Sequence, residues 1–291
     1  MFSAPRDSPS TSGVPLVTGS NDDVIVRDEL MLGRRKLTAR FRVSPPRTLS
    51  AGEPLVGAAR SSNVICHLVA GWACQFHGFT DGHQAIVDVY TPGDVIGLDA
   101  VLWTRPSGRV MTLTSVNTEV IDAAREFTDL MTCRPTALYV AWLLGRRQRR
   151  SDRLLAAVSS LDARGRLATM VLDFYARLRR QRQITGSSYN LPLTQIQIGA
   201  YLGLTVAHVN RVLRSLRDER IVQLEKHCVT ILDFERLTRL TLSGGIASSV
   251  AGLGERYSEE PAPHGGQRAR MGPNFDQLSL RLAAVHGASV T

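Results

Sequence analysis

The stretch "LPLTQIQIGAYLGLTVAHVNRVLRSLRDERIV", residues 191–222, constrains the fold more than any other part of the chain. Its first half begins at Thr194, and a glutamine follows three positions later, a spacing typical of a capping box at a helix start. Ile198 and Leu202 lie four positions apart and therefore share one helix face. Gly203 comes next and can adopt the left-handed conformation that ends a helix. The sequence predicts a short helix that ends at this glycine.

A second helix is predicted directly after the turn. Thr205 is its expected N-cap, and four apolar residues at helical spacing should form a buried stripe: Val209, Val212, Leu213 and Leu216. A different face carries Ala207, Asn210, Arg211 and Arg214. Gly199 interrupts the first helix, and a close crossing with a second helix would explain it, because two helices approach closely only where a side chain is missing. These features predict a helix-turn-helix over residues 194–217.

Two short β-rich runs follow, at residues 221–224 and 229–232, with a polar turn at 225–227 between them. A hairpin after a helix-turn-helix forms a winged module, which we predict over residues 162–241. In such a module the exposed face of the second helix lies in the DNA major groove. The residues predicted to contact DNA are Thr194, Gln195, Thr205, Ala207, His208, Asn210, Arg211, Arg214 and Arg217.

Arg211 is the predicted base reader, because its planar guanidinium matches guanine O6 and N7. Arg214 and Arg217 are expected to contact phosphates. Two alternatives remain open at this stage. Arginines on a helix often form an ordinary solvated face, and Arg211 could pair with Glu219 inside the fold.

The net charge of +9 is unevenly distributed. Residues 134–182 contain twelve arginines and three acids, 12 − 3 = +9, directly before the helix-turn-helix. This span could neutralise a phosphate backbone, although RNA or an anionic membrane would also attract it. We find no apolar stretch long enough to span a bilayer and no signal-peptide pattern at the N-terminus. We therefore expect a cytoplasmic protein without a membrane partner.

The four cysteines, Cys66, Cys74, Cys133 and Cys228, form no C-x-x-C pair, which argues against a zinc site. Reduced thiols are expected, with a redox-sensing thiol as a minor alternative. No nucleophile–base set, metal cluster or phosphate loop points to an enzyme. We expect neither catalytic residues nor a metal.

The rest of the chain divides into four further segments. Residues 1–23 and 242–291 are rich in small and polar residues and are predicted to be disordered. Residues 24–132 should form a β-roll, or jelly roll, because short β-rich runs alternate with turn signals. Residues 133–161 predict a long helix with apolar ends, which a partner helix could cover in a homodimer. The predicted fold class is α+β.

This order of β-roll, long helix and winged helix-turn-helix resembles the CRP/FNR family of bacterial transcription regulators over residues 30 to 240. The most specific segments are "PLTQ…LGLT…VNR", while "GDVIGLDA" is similar to the FNR and FixK side of the family. The resemblance implies a sequence-specific, dimeric regulator that binds double-stranded DNA and contacts RNA polymerase. The alternative is a cyclic-nucleotide-responsive regulator.

Several family features are absent from the sequence. The loop "AVLWTRPSGRVMTL" lacks the phosphate-pairing pattern of cyclic-AMP-binding members, although it contains Arg105 and Arg109. No cysteine precedes Cys66, so we expect no iron–sulfur cluster. We expect no other cofactor either. Ala207 occupies the position where many members have a cytosine-reading glutamate, whereas Arg211 is retained. The base preference of better-known members should therefore not apply unchanged.

Overall fold

The computed structural model describes residues 21–56, 64–78, 84–101 and 108–242. The predicted disordered segments lie outside these ranges except at their inner ends. Residues 21–23 begin the first helix, and residue 242 ends the last one.

The predicted β-roll is present as two antiparallel four-stranded sheets, in the orders β1-β8-β3-β6 and β2-β7-β4-β5. The strands are β1 (Arg47–Leu49), β2 (Pro54–Val56), β3 (Val64–Ala70), β4 (Ala73–Gly78), β5 (Gln84–Tyr90), β6 (Val95–Ile96), β7 (Arg109–Thr112) and β8 (Val116–Asp122). A short 3-10 helix spans Leu98–Val101. The hairpin turn expected at Asp81-Gly82 lies outside the described residues, but β4 and β5, the strands on either side of it, pair antiparallel. Apolar side chains of both sheets, among them Leu68 and Tyr90, fill the space between them.

The roll does not begin at residue 24 as predicted, because residues 21–41 form a helix, α1 (Asn21–Phe41). Leu37 and Phe41 of this helix are buried against the roll and against the long helix α3. A second unpredicted helix, α2 (Ala123–Thr132), is capped by Asp122, whose carboxylate accepts from two backbone N–H groups of the first turn. The roll is thus enclosed by helices on one side.

The predicted long helix is α3 (Arg134–Ser160). Helix α1 crosses it so closely that a Cβ on Gly33 would lie 2.0 Å from the carbonyl oxygen of Pro135. At the other end, Leu154 packs against the apolar core of the following domain. Elements of the same chain thus cover part of each apolar end, while Leu155 stays 66% exposed, so the expectation that a partner helix covers the remainder stays a prediction.

The C-terminal unit consists of α4 (Ala163–Arg180), β9 (Ser188–Asn190), α5 (Gln195–Leu202), α6 (Val206–Asp218), β10 (Val222–Glu225), β11 (Cys228–Ile231) and α7 (Phe234–Leu242). Its core is continuous with that of the roll. The ring of Trp72 from the roll meets Phe174 of α4 edge-on, with ring centroids 5.3 Å apart, and Phe174 in turn stacks on Tyr201 of α5. The two domains are thus held together by buried aromatic contacts.

Candidate nucleic-acid interface

Helix α5 has the capping box that the sequence predicts. The Thr194 hydroxyl accepts a hydrogen bond from the backbone N–H of Gln197 at 3.2 Å, and the Gln197 side chain accepts from the Thr194 N–H at 2.9 Å. Gly199 is needed because a Cβ there would lie 2.5 Å from the carbonyl oxygen of Leu204. The close neighbour is therefore the backbone of the turn, which corrects the expectation of a close helix crossing at this glycine. The Leu204 N–H donates back to the Gly199 carbonyl at 2.9 Å, which fixes this contact.

The turn itself sets the angle between the two helices. Gly203 adopts φ 64°, the left-handed conformation predicted for a helix end. Thr205 then caps α6 by accepting from the His208 N–H, and its hydroxyl also lies 3.1 Å from Nδ1 of the His208 ring. Short-range hydrogen bonds therefore fix where α6 begins and how its first turn is oriented.

Helix α6 has one buried and one exposed face, as predicted. Val209, Val212 and Leu216 are buried, and Leu213 is partly buried against the same core. All nine residues predicted to contact DNA are exposed: Thr194, Gln195, Thr205, Ala207, His208, Asn210, Arg211, Arg214 and Arg217. The fold thus places them at the starts of α5 and α6 and along the outer face of α6.

Arg211 makes no ion pair or hydrogen bond with any other residue that the structure describes. The alternative partner, Glu219, is occupied by Arg164 of α4, which donates to both carboxylate oxygens at 2.7 and 2.9 Å. Hydrogen bonds from Arg164 and from Ser215 lower the pKa of Glu219 to about 2. Arg236 also binds this carboxylate, at 3.1 Å. The proposed Arg211–Glu219 pair is therefore absent, and the guanidinium of Arg211 faces outward.

The wing is present, with strand ends that differ by a residue from the prediction. Strands β10 and β11 pair antiparallel, and Lys226 and His227 form the two-residue turn between them, both with positive φ. This backbone is typical of a tight hairpin turn. Both residues are exposed at the wing tip, and the prediction did not include them as DNA-contacting residues. The polar hairpin turn in the sequence was the signal that could have identified them.

Sequence reasoning also missed two exposed apolar side chains beside the predicted set. Ile196 in the first turn of α5 is 69% exposed, and Val206 at the start of α6 is 39% exposed. A strand missing from the prediction, β9, adds a third member to the wing sheet by pairing with β11. These side chains and the wing tip extend the exposed surface around α6.

The arginine-rich span 134–182 is mostly engaged inside the protein, which corrects the expectation that it forms a free phosphate-binding surface. Arg134 pairs with Glu29, Arg153 with Asp173, and Arg166 donates to the carbonyls of Leu161 and Leu202. Further arginines of the span meet carboxylates of the roll.

We use the name "arginine junction" for Asp88, Asp94, Arg147, Arg150 and Arg177 together. Arg150 donates to Asp94 at 3.2 Å and to Asp88 at 3.4 Å, and Arg147 lies 3.3 Å from Asp88. Arg177 of α4, only 3% exposed, binds both Asp94 and the Val89 carbonyl. Burial alone would raise the pKa of Asp94, but the surrounding arginines hold it below its ordinary range. The junction ties the roll, α3 and α4 to one another.

The junction lies where the roll meets α3. A cavity of about 20 Å³ remains between Leu98, Leu143 and the arginines, room for about one water molecule. Arg109 lies on β7, whereas Arg105 lies outside the described residues. The loop that departs from the cyclic-nucleotide pattern is thus described only in part.

The cysteines are dispersed, and none of those described forms a disulfide. Burial raises the pKa of both Cys66 and Cys74 to about 12, which keeps these thiols protonated. Cys228 is exposed on the wing. Within the described ranges, no group of three or more histidine, cysteine or acidic residues is arranged to hold a metal ion. None of the helices in the same ranges has both the length and the apolarity that crossing a membrane requires.

Sequence comparisons agree with this geometry. Residues 165–240 match the model of the Crp-like helix-turn-helix domain. The "Anaerobic regulatory protein" of Pasteurella multocida is 25% identical over 195 residues, which cover 66% of this chain and 67% of that protein. The "Transcriptional activator protein Anr" of Pseudomonas protegens is 25% identical over 201 residues, covering 68% and 80%.

Solved structures superpose on about two thirds of this chain. FixK2 from Bradyrhizobium japonicum superposes with a TM-score of 0.59 at 19% identity, over 68% of this chain and 96% of that one. A CooA mutant from Carboxydothermus hydrogenoformans gives a TM-score of 0.54 at 15% identity, over 70% and 90%. The Crp-like helix-turn-helix domain and the regulator relatives identify the chain as a DNA-binding transcription regulator. Its sequence and fold are similar to those of CRP/FNR regulators.

Proposed function

We propose that the protein binds DNA as a homodimer and that each protomer inserts α6 into the major groove. The observation that carries this proposal is the exposed face of α6, where Arg211 has no described partner while the arginines of α3 and α4 are largely paired. A side chain held on a rigid helix, with its donors free, is suited to reading a base edge. Arg214 and Arg217, farther along α6, and Lys226 on the wing tip are suited to phosphates.

The dimer would form through the uncovered face of α3. Residues at alternating spacings of three and four share this face, as in a helix pair: Leu138, Ala141, Gly145, Gln148, Asp152 and Leu155. Leu155 is 66% exposed, which leaves a large apolar side chain of this face uncovered in the single chain. At Gly145 a Cβ would meet nothing within 4 Å, so the backbone of α3 is open to close approach there. A second copy of α3 would cover the leucines and bring two α6 helices to one side of the duplex.

We further propose that the roll does not require a cyclic nucleotide and that no iron–sulfur cluster or other cofactor is needed for DNA binding. The support is that Arg147 and Arg150 occupy the side of the roll facing α3 and are neutralised there by Asp88 and Asp94. The function proposed is binding without catalysis, in the cytoplasm. RNA polymerase is the expected protein partner, since relatives carry the name of transcriptional activators.

The dimer and its DNA geometry can be tested together. Selection from a random duplex library should enrich two-fold symmetric sites whose half-sites are about 10–10.5 bp apart, or a multiple of that. Light scattering should give a dimer for the wild type and a monomer for Leu155→Arg. The matched control is Leu32→Arg, because Leu32 is 45% exposed on α1, away from the proposed face. A wild-type monomer with and without DNA, or tight binding to a single half-site, would contradict the proposal.

The cofactor proposal has a separate test. Calorimetry with cyclic AMP should show no saturable heat, and DNA binding should be equal with and without it. Saturable binding that strengthens DNA affinity would instead identify a nucleotide-responsive regulator.

A further inference from the structure

A large cavity outside the arginine junction lies between α1, the roll and the segment that follows α4. Its volume is about 810 Å³, within the range of small-molecule sites. Phe41, Val69 and Tyr139 supply apolar wall. The polar and charged groups that matter here are Arg34, Arg35, Arg42, His67, Gln181 and Gln183.

The three arginines of this cavity lack acidic partners among the residues that the structure describes. This contrasts with Arg40 of the same helix, which pairs with Glu126 and, at 2.9 Å, with Asp129. Arg34 and Arg35 are neighbours on α1, and Arg42 directly follows Phe41, the last residue of that helix. Like charges gathered at one cavity repel one another, and a bound anion relieves that repulsion.

The carboxylate of Glu119, near the cavity wall, pairs with His67 and not with these arginines. The Nδ1 atom of His67 lies 2.9 Å from the Glu119 carboxylate, and the His67 ring packs against Phe41 with centroids 5.5 Å apart. Glu119 is thus engaged with the imidazole at the cavity wall. The lining therefore combines cations with an apolar surface.

We propose that this cavity is an effector site for a small organic molecule that carries two or more negative charges, as phosphate or carboxylate groups. Arginine guanidinium groups bind both groups through paired hydrogen bonds. The apolar wall of Phe41, Val69 and Tyr139 would contact the uncharged part of the molecule. Phosphates and carboxylates are both oxyanions that can carry several charges, and the experiment below distinguishes between the two.

The position of the cavity gives such a ligand a route to the DNA-binding domain. Gln181 and Gln183 belong to the segment after α4, whereas Arg34 belongs to α1 and Arg42 follows the end of α1. Gln181 lies against the roll turn, since a Cβ on Gly93 would be 2.5 Å from its Cδ. A ligand that contacts both walls would change the relative stability of arrangements of the two domains. This coupling to DNA rests on the proposed function, whereas binding of the anion does not.

The binding test uses the full chain and isothermal calorimetry at constant ionic strength. The probes are inorganic pyrophosphate and citrate, which separate phosphate from carboxylate recognition, with chloride as the reference. Saturable binding of at least one probe is expected, and Arg34→Gln and Arg42→Gln should each weaken it at least tenfold. The control is Arg27→Gln, which removes the same charge from an exposed position of α1 outside the cavity and should bind as the wild type does. No saturable binding, or equal weakening by all three variants, would overturn the site.

The coupling is measured as the DNA affinity of the wild type with and without saturating probe. Linkage requires that the probe change DNA affinity by the factor by which DNA changes probe affinity. A reciprocal change that Arg34→Gln abolishes would support an effector role. Probe binding with unchanged DNA affinity would refute the effector role, while loss of DNA binding under all conditions would instead count against the proposed function.

Discussion

Replacement of Arg211 by alanine tests how α6 reads DNA. The side chain is exposed, and no other described residue pairs with it, so its loss should change the free energy of unfolding by no more than about 0.5 kcal/mol. A bidentate contact to guanine contributes about 1–3 kcal/mol of discrimination. A dimer makes two such contacts, so the total effect should be about 2–6 kcal/mol. This corresponds to roughly 30-fold to 20,000-fold weaker binding to the matched site.

The assay is fluorescence anisotropy with two duplexes, the matched site and one in which the contacted guanine is replaced in both half-sites. The wild type should prefer the matched duplex, and Arg211→Ala should bind both with similar affinity. Arg217→Ala is the control, because Arg217 is exposed near the end of α6 and should weaken both duplexes equally. If Arg211→Ala still distinguishes the duplexes as well as the wild type does, Arg211 is not the base reader.

Three further predictions concern how the fold supports this surface. Gly199→Val should lower the free energy of unfolding by about 1–3 kcal/mol in urea titrations, because its Cβ would overlap the Leu204 carbonyl; unchanged stability would contradict the geometry. Arg177→Met should lower the free energy of unfolding by about 3 kcal/mol, because Asp94 stays buried with one cation fewer. The control Arg179→Met, at an exposed position, should leave the free energy of unfolding nearly unchanged. The arginines lower the pKa of Asp94 below its ordinary 3.8, so its contribution to stability is complete above that pH and disappears as pH falls through the lowered value. Acid unfolding followed by circular dichroism should therefore begin at a higher pH in Arg177→Met than in the wild type, and coincident curves would show that Arg177 does not stabilise the carboxylate.

The helix-turn-helix could be predicted almost residue by residue because its determinants are local. The capping box joins Thr194 to a residue three positions away, and Gly203 needs only its own backbone freedom to end α5. The buried stripe of α6 follows from helical spacing alone. The sequence alone therefore predicts where α5 and α6 begin, and with them the exposed face of α6.

Helix α1 and strand β9 were missed because their stabilising contacts are distant in sequence. Gly33 of α1 packs on Pro135, about a hundred positions later, and the helix lacks a continuous apolar stripe. Strand β9 has three residues and is formed through pairing with β11, some forty positions away. Neither feature produces a strong local pattern.

The arginine-rich span shows why charge counted along a sequence differs from charge available to a ligand. Arg147 and Arg150 belong to a polar run of α3 that resembles a solvated face, yet their carboxylate partners Asp88 and Asp94 lie on the roll about sixty positions earlier. Pairing neutralises these two arginines, so we propose the exposed face of α6 and the wing tip as the basic surface for DNA. It also has a mechanical consequence, because Asp94 contacts α3 through Arg150 and α4 through Arg177. We therefore expect that any rearrangement of α3, including one caused by dimer formation, shifts the shared carboxylate and with it the helix on which the DNA-binding unit is built.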